Sequence, residues 1–233
     1  MMRPFILPLL ALLAGAAPAA AQTVPSFASS GPLGHIDAAA AQRGFAVYEA
    51  SCAACHSLSA LHYRDLEGLG LTSAQVAGIA SGIKLADGTA ATPDSPFKPA
   101  TLPASAFGGA LPPDLSSIAA QRPGGAAYIY AVLTGYTPAP AGITLMPSHY
   151  YNSAYPGGQI AMPPPLHDGA VTYADGTPST TAQEAADVAE FLTWASDPTL
   201  TARHEIGLRA LIFFGFLFVL ALVLKRQAWS NQS

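Results

Sequence analysis

The chain is poor in charge and poor in cysteine. Only 10% of its 233 residues are charged, against roughly 25% in an ordinary soluble domain. That deficit excludes a disordered polyelectrolyte, which needs high charge and few apolar residues. Lysine and arginine total 10 against 14 acids. No basic run interleaves with aromatics, so a nucleic-acid partner is excluded. Two cysteines cannot build a multi-disulfide scaffold. Alternating strand patterns of useful length and internal repeats are also missing. What remains is 51% apolar, with 21 prolines and 21 glycines. The mean hydropathy of +0.33 points to contact with a membrane.

The ends carry that apolar excess. Residues 1–21 have Arg3 as a short positive region and Phe5 to Leu13 as an apolar region. Ala19-Ala20-Ala21 supplies the small residues of a cleavage site, so the segment reads as a secretory signal peptide. Its apolar part is too short to span ~30 Å of hydrocarbon. Residues 206–224, IGLRALIFFGFLFVLALVL, hold a single charge, Arg209, and approach the ~20 residues of a spanning helix. Lys225 and Arg226 follow at once. The positive-inside tendency puts tail 225–233 in the cytoplasm and the preceding domain outside.

Residues 22–205 hold all 14 acids but only six bases: Arg43, Arg64, Lys84, Lys98, Arg122 and Arg203. This exported domain begins with an irregular arm over 22–36. Asp37 caps a predicted helix over Ala38–Ser51, with Phe45, Tyr48 and Cys52 on one face. Thr72 and Gln75 form a capping box for a short helix ending at Gly82. A helix is expected over Ala126–Thr134, ended by Gly135. Thr181 and Glu184 suggest a second capping box. Beyond it, Val188, Phe191, Leu192 and Ala195 share a face until Asp197-Pro198. Residues 86–113 and 136–180 read mostly as loop. The fold class is mainly α, and loops this long need a surface to pack on. A buried cofactor would supply it. Phe45, Phe191 and Trp194 are expected to pack the first and last domain helices together.

The string Cys52-Ala53-Ala54-Cys55-His56 supplies the chemistry. CxxCH is the attachment pattern of c-type haem. Two thiols on one helical turn reach two vinyl groups of a porphyrin, and the adjacent histidine faces the iron. A zinc site wants four ligands, and a thiol–disulfide redox pair wants a βαβ context; neither is visible, and a plain structural disulfide is the remaining alternative. The second iron ligand is open between Met162 and Met146, both followed by proline. Met162 is preferred because GGQIAMPPPL combines glycines that permit close approach with prolines that stiffen the chain. The histidines at 35, 62, 149, 167 and 204 read as surface or structural residues. Arg122, Tyr128, Tyr63 and Arg64 are candidates for haem propionates by residue type.

These residues resemble the cytochrome c1 family, the haem c subunits of cytochrome bc1 (ubiquinol–cytochrome c reductase) complexes. The resemblance covers nearly the whole chain after residue 21. It runs through RGFAVYEASCAACHSL, LHYRDLEGLG, GGALPPDLS at 108–116 and GGAAYIYAVLTGY at 124–136. It continues with YYNSAYPGGQIAMPPPL at 150–166, DGTPSTTAQEAADVAEFLTWASDP, and the anchor GLRALIFFGFLFVLALVLKRQAWS. The family implies a class I c-type cytochrome domain with long loops packed on haem, plus one C-terminal transmembrane helix. It implies one covalent haem c on Cys52 and Cys55, with His56 and Met162 as iron ligands. Arg122 and Tyr128 fall on family positions near the propionates, and Pro112 with Pro113 beside the haem edge. Phe107-Gly108 departs from the family, which commonly has asparagine before GALPPDLS; the stretch from His56 to Gly108 is also short.

The resemblance further implies electron transfer from a Rieske iron–sulfur protein to a cytochrome c, beside cytochrome b in a dimeric complex. The chain would be an enzyme only as a subunit of that complex. It would sit in a bacterial inner membrane, with membrane lipid around the anchor and the haem domain in the periplasm. Two other functions compete with it. One is an anchored c-type cytochrome serving a periplasmic dehydrogenase or terminal oxidase; the other is an anchored thiol–disulfide oxidoreductase.

Overall fold

A computed structural model describes residues 24–85, 87–97 and 110–230. The signal-peptide segment 1–21, Phe107-Gly108 and the last three residues of the tail lie outside the described residues. Among the described residues the fold is mainly helical. Helix α1 spans Ala38–Val47, and Asp37 caps it by accepting hydrogen bonds from the N–H groups of Ala39 and Ala40. It runs on through a wider turn, Tyr48–Cys52, where Ala53 N–H donates to the Tyr48 carbonyl at 2.8 Å. Strand β1, Leu58–His62, leads into a tight 3₁₀ segment, Tyr63–Leu69. Helix α2, Ser73–Ser81, starts at the expected Thr72–Gln75 capping box. Then come β2 (Pro96–Phe97), a one-turn α3 (Ile118–Gln121) and α4 (Ala126–Thr134). Strands β3 (Tyr150–Tyr151) and β4 (Gln159–Ile160) form a hairpin. Helix α5 is Thr181–Ser196, and α6 is Leu200–Ser230.

Helices α1 and α5 build the core by crossing at Gly44. A Cβ there would lie 2.0 Å from the Asp187 carbonyl oxygen and 2.7 Å from the Phe191 Cβ, so only glycine permits the approach. Around the crossing, the ring of Phe191 packs on Phe45 and Tyr48, both at 5.6 Å between centroids, and on Trp194 at 5.7 Å. The expected packing of Phe45, Phe191 and Trp194 is therefore present. Phe97 closes the cluster against Tyr63 at 4.1 Å.

Two sequence readings need correction. Short strands are present, paired as β1–β2 and β3–β4, and β2, β3 and β4 lie within the long loops. The strands are two to five residues long. In β1 both Leu58 and Leu61 are buried across a register shift, which erases the alternation of a regular strand. The cap of α5 is Thr180, whose side chain accepts from Gln183 N–H. Glu184 does not complete a box with Thr181; it is turned inward and fully buried.

Glu184 is one of three buried acids on α5, with Asp187 and Glu190, spaced three apart on one helical face. Glu184 accepts from Ala170 N–H at 3.0 Å and from the Ser179 hydroxyl. Asp187 takes two hydrogen bonds from the Arg43 guanidinium on α1, at 3.0 and 2.9 Å. Glu190 accepts from the Ser29 hydroxyl at 2.7 Å and from Asp37 N–H at 3.0 Å. Helix α5 thus fastens a loop, a helix and the N-terminal arm.

Helix α6 starts on the domain and leaves it. Thr201 accepts from Ile36 N–H at 2.9 Å, and the His204 ring meets the Gly34 carbonyl at 2.6 Å. From Ile206 onward its large apolar side chains are exposed. Its 31 residues rise about 46 Å at ~1.5 Å each, enough by length and composition to cross a membrane. The helix extends past the expected span on both sides. Near its end Lys225 lies over the Trp229 ring at 4.8 Å.

The Arg43–Asp187 pair generates a test. Removing one partner of a buried pair strands the other's charge, at a cost of about 3 kcal/mol. Arg43→Met should lower the thermal unfolding temperature of the detergent-purified protein sharply, and adding Asp187→Leu should recover much of the loss.

Candidate haem-binding site

The wider turn at the end of α1 sets the CxxCH segment. Cys55 and His56 N–H groups both donate to the Cys52 carbonyl, at 3.0 and 2.9 Å, so the motif closes as one compact turn. Cys52 is buried and Cys55 half-buried, and neither is bonded to another cysteine. Burial, with Cys55 nearby, pushes the Cys52 thiol up to about 12. A thiol–disulfide catalyst needs the opposite, a depressed thiol pKa in an electropositive setting. Among the described residues no group of three or more His, Cys, Asp or Glu is placed to hold a bare metal ion.

His56 is held from two directions. Its ring Nδ1 is 2.7 Å from the Pro113 carbonyl oxygen, so Nδ1 carries the proton and Nε2 keeps a free lone pair. Burial lowers its pKa, and the bond to Pro113 only partly offsets this. A neutral imidazole with one free nitrogen suits a metal. The His56 carbonyl accepts from the Tyr48 hydroxyl at 2.8 Å. Asp114 pins the surrounding loops by accepting from the Ser57 hydroxyl at 2.6 Å and from Ser59 and Ser116 N–H, both at 2.8 Å. Partial burial works against its charge, but these donors outweigh burial and hold its carboxyl well below the ordinary range.

The two methionine candidates differ in their surroundings. Met162 is half-buried, and its carbonyl accepts from the Tyr136 hydroxyl at 3.1 Å. Met146 is 52% exposed, and its N–H donates to the Gln159 side chain at 2.8 Å. Of the four propionate candidates, Tyr63 is buried against Phe97 and Arg64 pairs with Asp94. Arg122 instead stacks over the Tyr128 ring at 5.7 Å, and among the described residues it forms no ion pair with a carboxylate. Pro112 is half-buried and precedes the proline that binds His56. His62 lies beside Asp65 at 3.8 Å, and His149 contacts the Pro147 carbonyl in its own loop.

The donor set fits a porphyrin: two thiols on one turn, an imidazole with one nitrogen committed, a thioether on a strap, and a guanidinium that lies over a phenol ring and forms no carboxylate ion pair among the described residues. Sequence reading gave Asp114 and Tyr136 no role at the site, and it named Pro113 and Tyr48 without their contacts to His56. The Pro113 contact is made by a backbone carbonyl, so no side-chain identity announces it.

Comparison with known proteins decides the family. The profile of the Cytochrome C1 family matches residues 27–232. The chain belongs to the cytochrome c1 family. It is 40% identical over 213 residues to a mitochondrial cytochrome c1 haem protein of Solanum tuberosum, covering 86% of this chain and 80% of that one. It is 40% identical over 220 residues to the mitochondrial cytochrome c1 haem protein of Kluyveromyces lactis, covering 87% and 74%. It is also 40% identical over 212 residues to a protein of Candida albicans named as the mitochondrial cytochrome b-c1 complex catalytic subunit, covering 83% and 72%.

The Asp114 geometry gives a prediction for a cytochrome c1 chain. A carboxyl held below its unfolded value stabilises the fold above about pH 4 and loses that contribution as pH falls. Asp114→Asn should cost about 1 kcal/mol at neutral pH, and its melting temperature should fall less than that of the wild type between about pH 5 and 3. Thermal melts across that range check both.

Proposed function

We propose that this chain is the electron-transfer subunit of a respiratory ubiquinol–cytochrome c reductase. It receives electrons from a Rieske iron–sulfur protein and passes them through one covalent haem c to a cytochrome c. The observation that carries this reading is His56, fixed at Nδ1 by the Pro113 carbonyl on the turn that holds both cysteines.

Haem iron, when bound, supplies a one-electron redox couple. Cys52 and Cys55 would hold the porphyrin through thioether bonds, and His56 Nε2 and the Met162 thioether would bind the iron, a ligation that raises the potential and suits electron transfer. The committed Nδ1 of His56 keeps its ring from rotating. Arg122 and Tyr128 would take the propionates through charged and hydroxyl hydrogen bonds, and Pro112 would lie beside the haem edge. The chain itself makes and breaks no bond on a substrate; quinol oxidation belongs to cytochrome b. As an enzyme it counts only through the complex, which is read as a dimer.

Helix α6 anchors the chain in a bacterial inner membrane through residues 206–224, surrounded by lipid. Arg209 lies near one end of the span, and Lys225 and Arg226 follow the other, which favours a cytoplasmic tail at 225–233. The haem domain, residues 22–205, then lies in the periplasm after removal of residues 1–21. Its excess of acids over bases would speed encounter with a basic acceptor in a salt-dependent way.

Met162→Leu tests the assignment. The covalent haem should remain, and the haem c potential should fall on the order of 0.2 V, within the ~0.8 V that axial ligation spans. Redox titration of the purified complex checks this; an unchanged potential would exclude Met162 as ligand.

A further inference from the structure

A methionine on an irregular strap binds iron only if the strap stays in place. Met162 lies two residues beyond β4. Pro163, Pro164 and Pro165 follow it, and none of them has an N–H to tie the strap down. Pro163 and Pro164 are exposed. Pro164 borders two adjoining cavities, of about 600 and 340 Å³, and Tyr136 stands between them, lining both. The Tyr136 hydroxyl donates to the Met162 carbonyl at 3.1 Å.

Tyr136 is itself rigidly based. It follows Gly135, which ends α4. A Cβ at Gly135 would lie 2.6 Å from the Ala131 carbonyl oxygen and 2.8 Å from the Asn152 Oδ1. Asn152 is fully buried and donates to the Val132 carbonyl at 2.7 Å. Ser153 N–H donates to the Gly135 carbonyl at 3.0 Å. Tyr136 pairs with Asn152 as an isolated antiparallel bridge.

We propose that Tyr136 is a positioning residue that holds the Met162 strap through its hydroxyl. The inference rests on the reading of Met162 as an iron ligand. Losing the hydroxyl frees the strap to lift, and the iron face becomes open to outside ligands more often. The ring is kept in Tyr136→Phe, so the change deletes one oxygen beside existing space and leaves folding intact.

The test is imidazole binding to oxidised haem c in the purified complex, followed by absorbance, with haem c content and potential measured in the same preparation. Tyr136→Phe should bind imidazole about fivefold more tightly, the worth of one ordinary hydrogen bond, and its potential should fall. Tyr130→Phe, on α4 and lining the larger cavity together with Tyr136, should bind as the wild type does. Met162→Leu should bind far more tightly than either, and adding Tyr136→Phe to it should change nothing further. Wild-type affinity in Tyr136→Phe, alongside a large increase in Met162→Leu, overturns the positioning role alone. An equal increase in Tyr130→Phe also overturns it, because general loosening would then suffice. No increase in Met162→Leu overturns the ligand reading and this inference with it.

Discussion

The contact of α1 with α5 at Gly44 decides where everything else in the domain can sit. A Cβ 2.0 Å from the Asp187 carbonyl oxygen is not tolerable, so the two helices meet backbone to backbone. That crossing places Phe45 and Tyr48 on Phe191. One turn later α1 delivers Cys52, Cys55 and His56. The position of the CxxCH turn is thus set by a helix crossing that lies in the densest part of the core.

Helices α5 and α4 supply the rest of the frame. Along α5, Glu184, Asp187 and Glu190 are buried, and each is engaged by a different segment. These contacts hold a loop-rich chain around two helices, where apolar packing alone would leave the loops loose. Helix α4 reaches from the Arg122–Tyr128 stack to Gly135 and Tyr136, which hold the hairpin and the strap. One short helix therefore bridges the two sets of groups proposed to grip opposite parts of one porphyrin.

The helices were legible because their signals are local. Asp37 and the Thr72–Gln75 box are in place, and α4 has the expected bounds. The Thr181–Glu184 box was misleading: the same carboxylate that could cap a helix serves Ser179 and Ala170 from a buried position, and sequence spacing cannot tell these apart. Strand β1 hid behind a register shift. At the candidate site the motif residues were readable, and the groups that orient them were not. The Pro113 carbonyl, the Tyr48 hydroxyl and the Tyr136 hydroxyl come from 8 to 57 residues away in sequence. They become partners only after α1, α4 and the loops have packed.

The central claim is that the CxxCH turn carries covalent haem c in a complex that also contains haem b. A reduced-minus-oxidised spectrum of the tagged protein, purified in mild detergent and then extracted with acidified organic solvent, tests it directly. The account predicts both haem b and haem c signals before extraction, with the haem c signal staying on the chain that carries Cys52 and Cys55 afterwards. Two titratable thiols and no haem on the chain would contradict it.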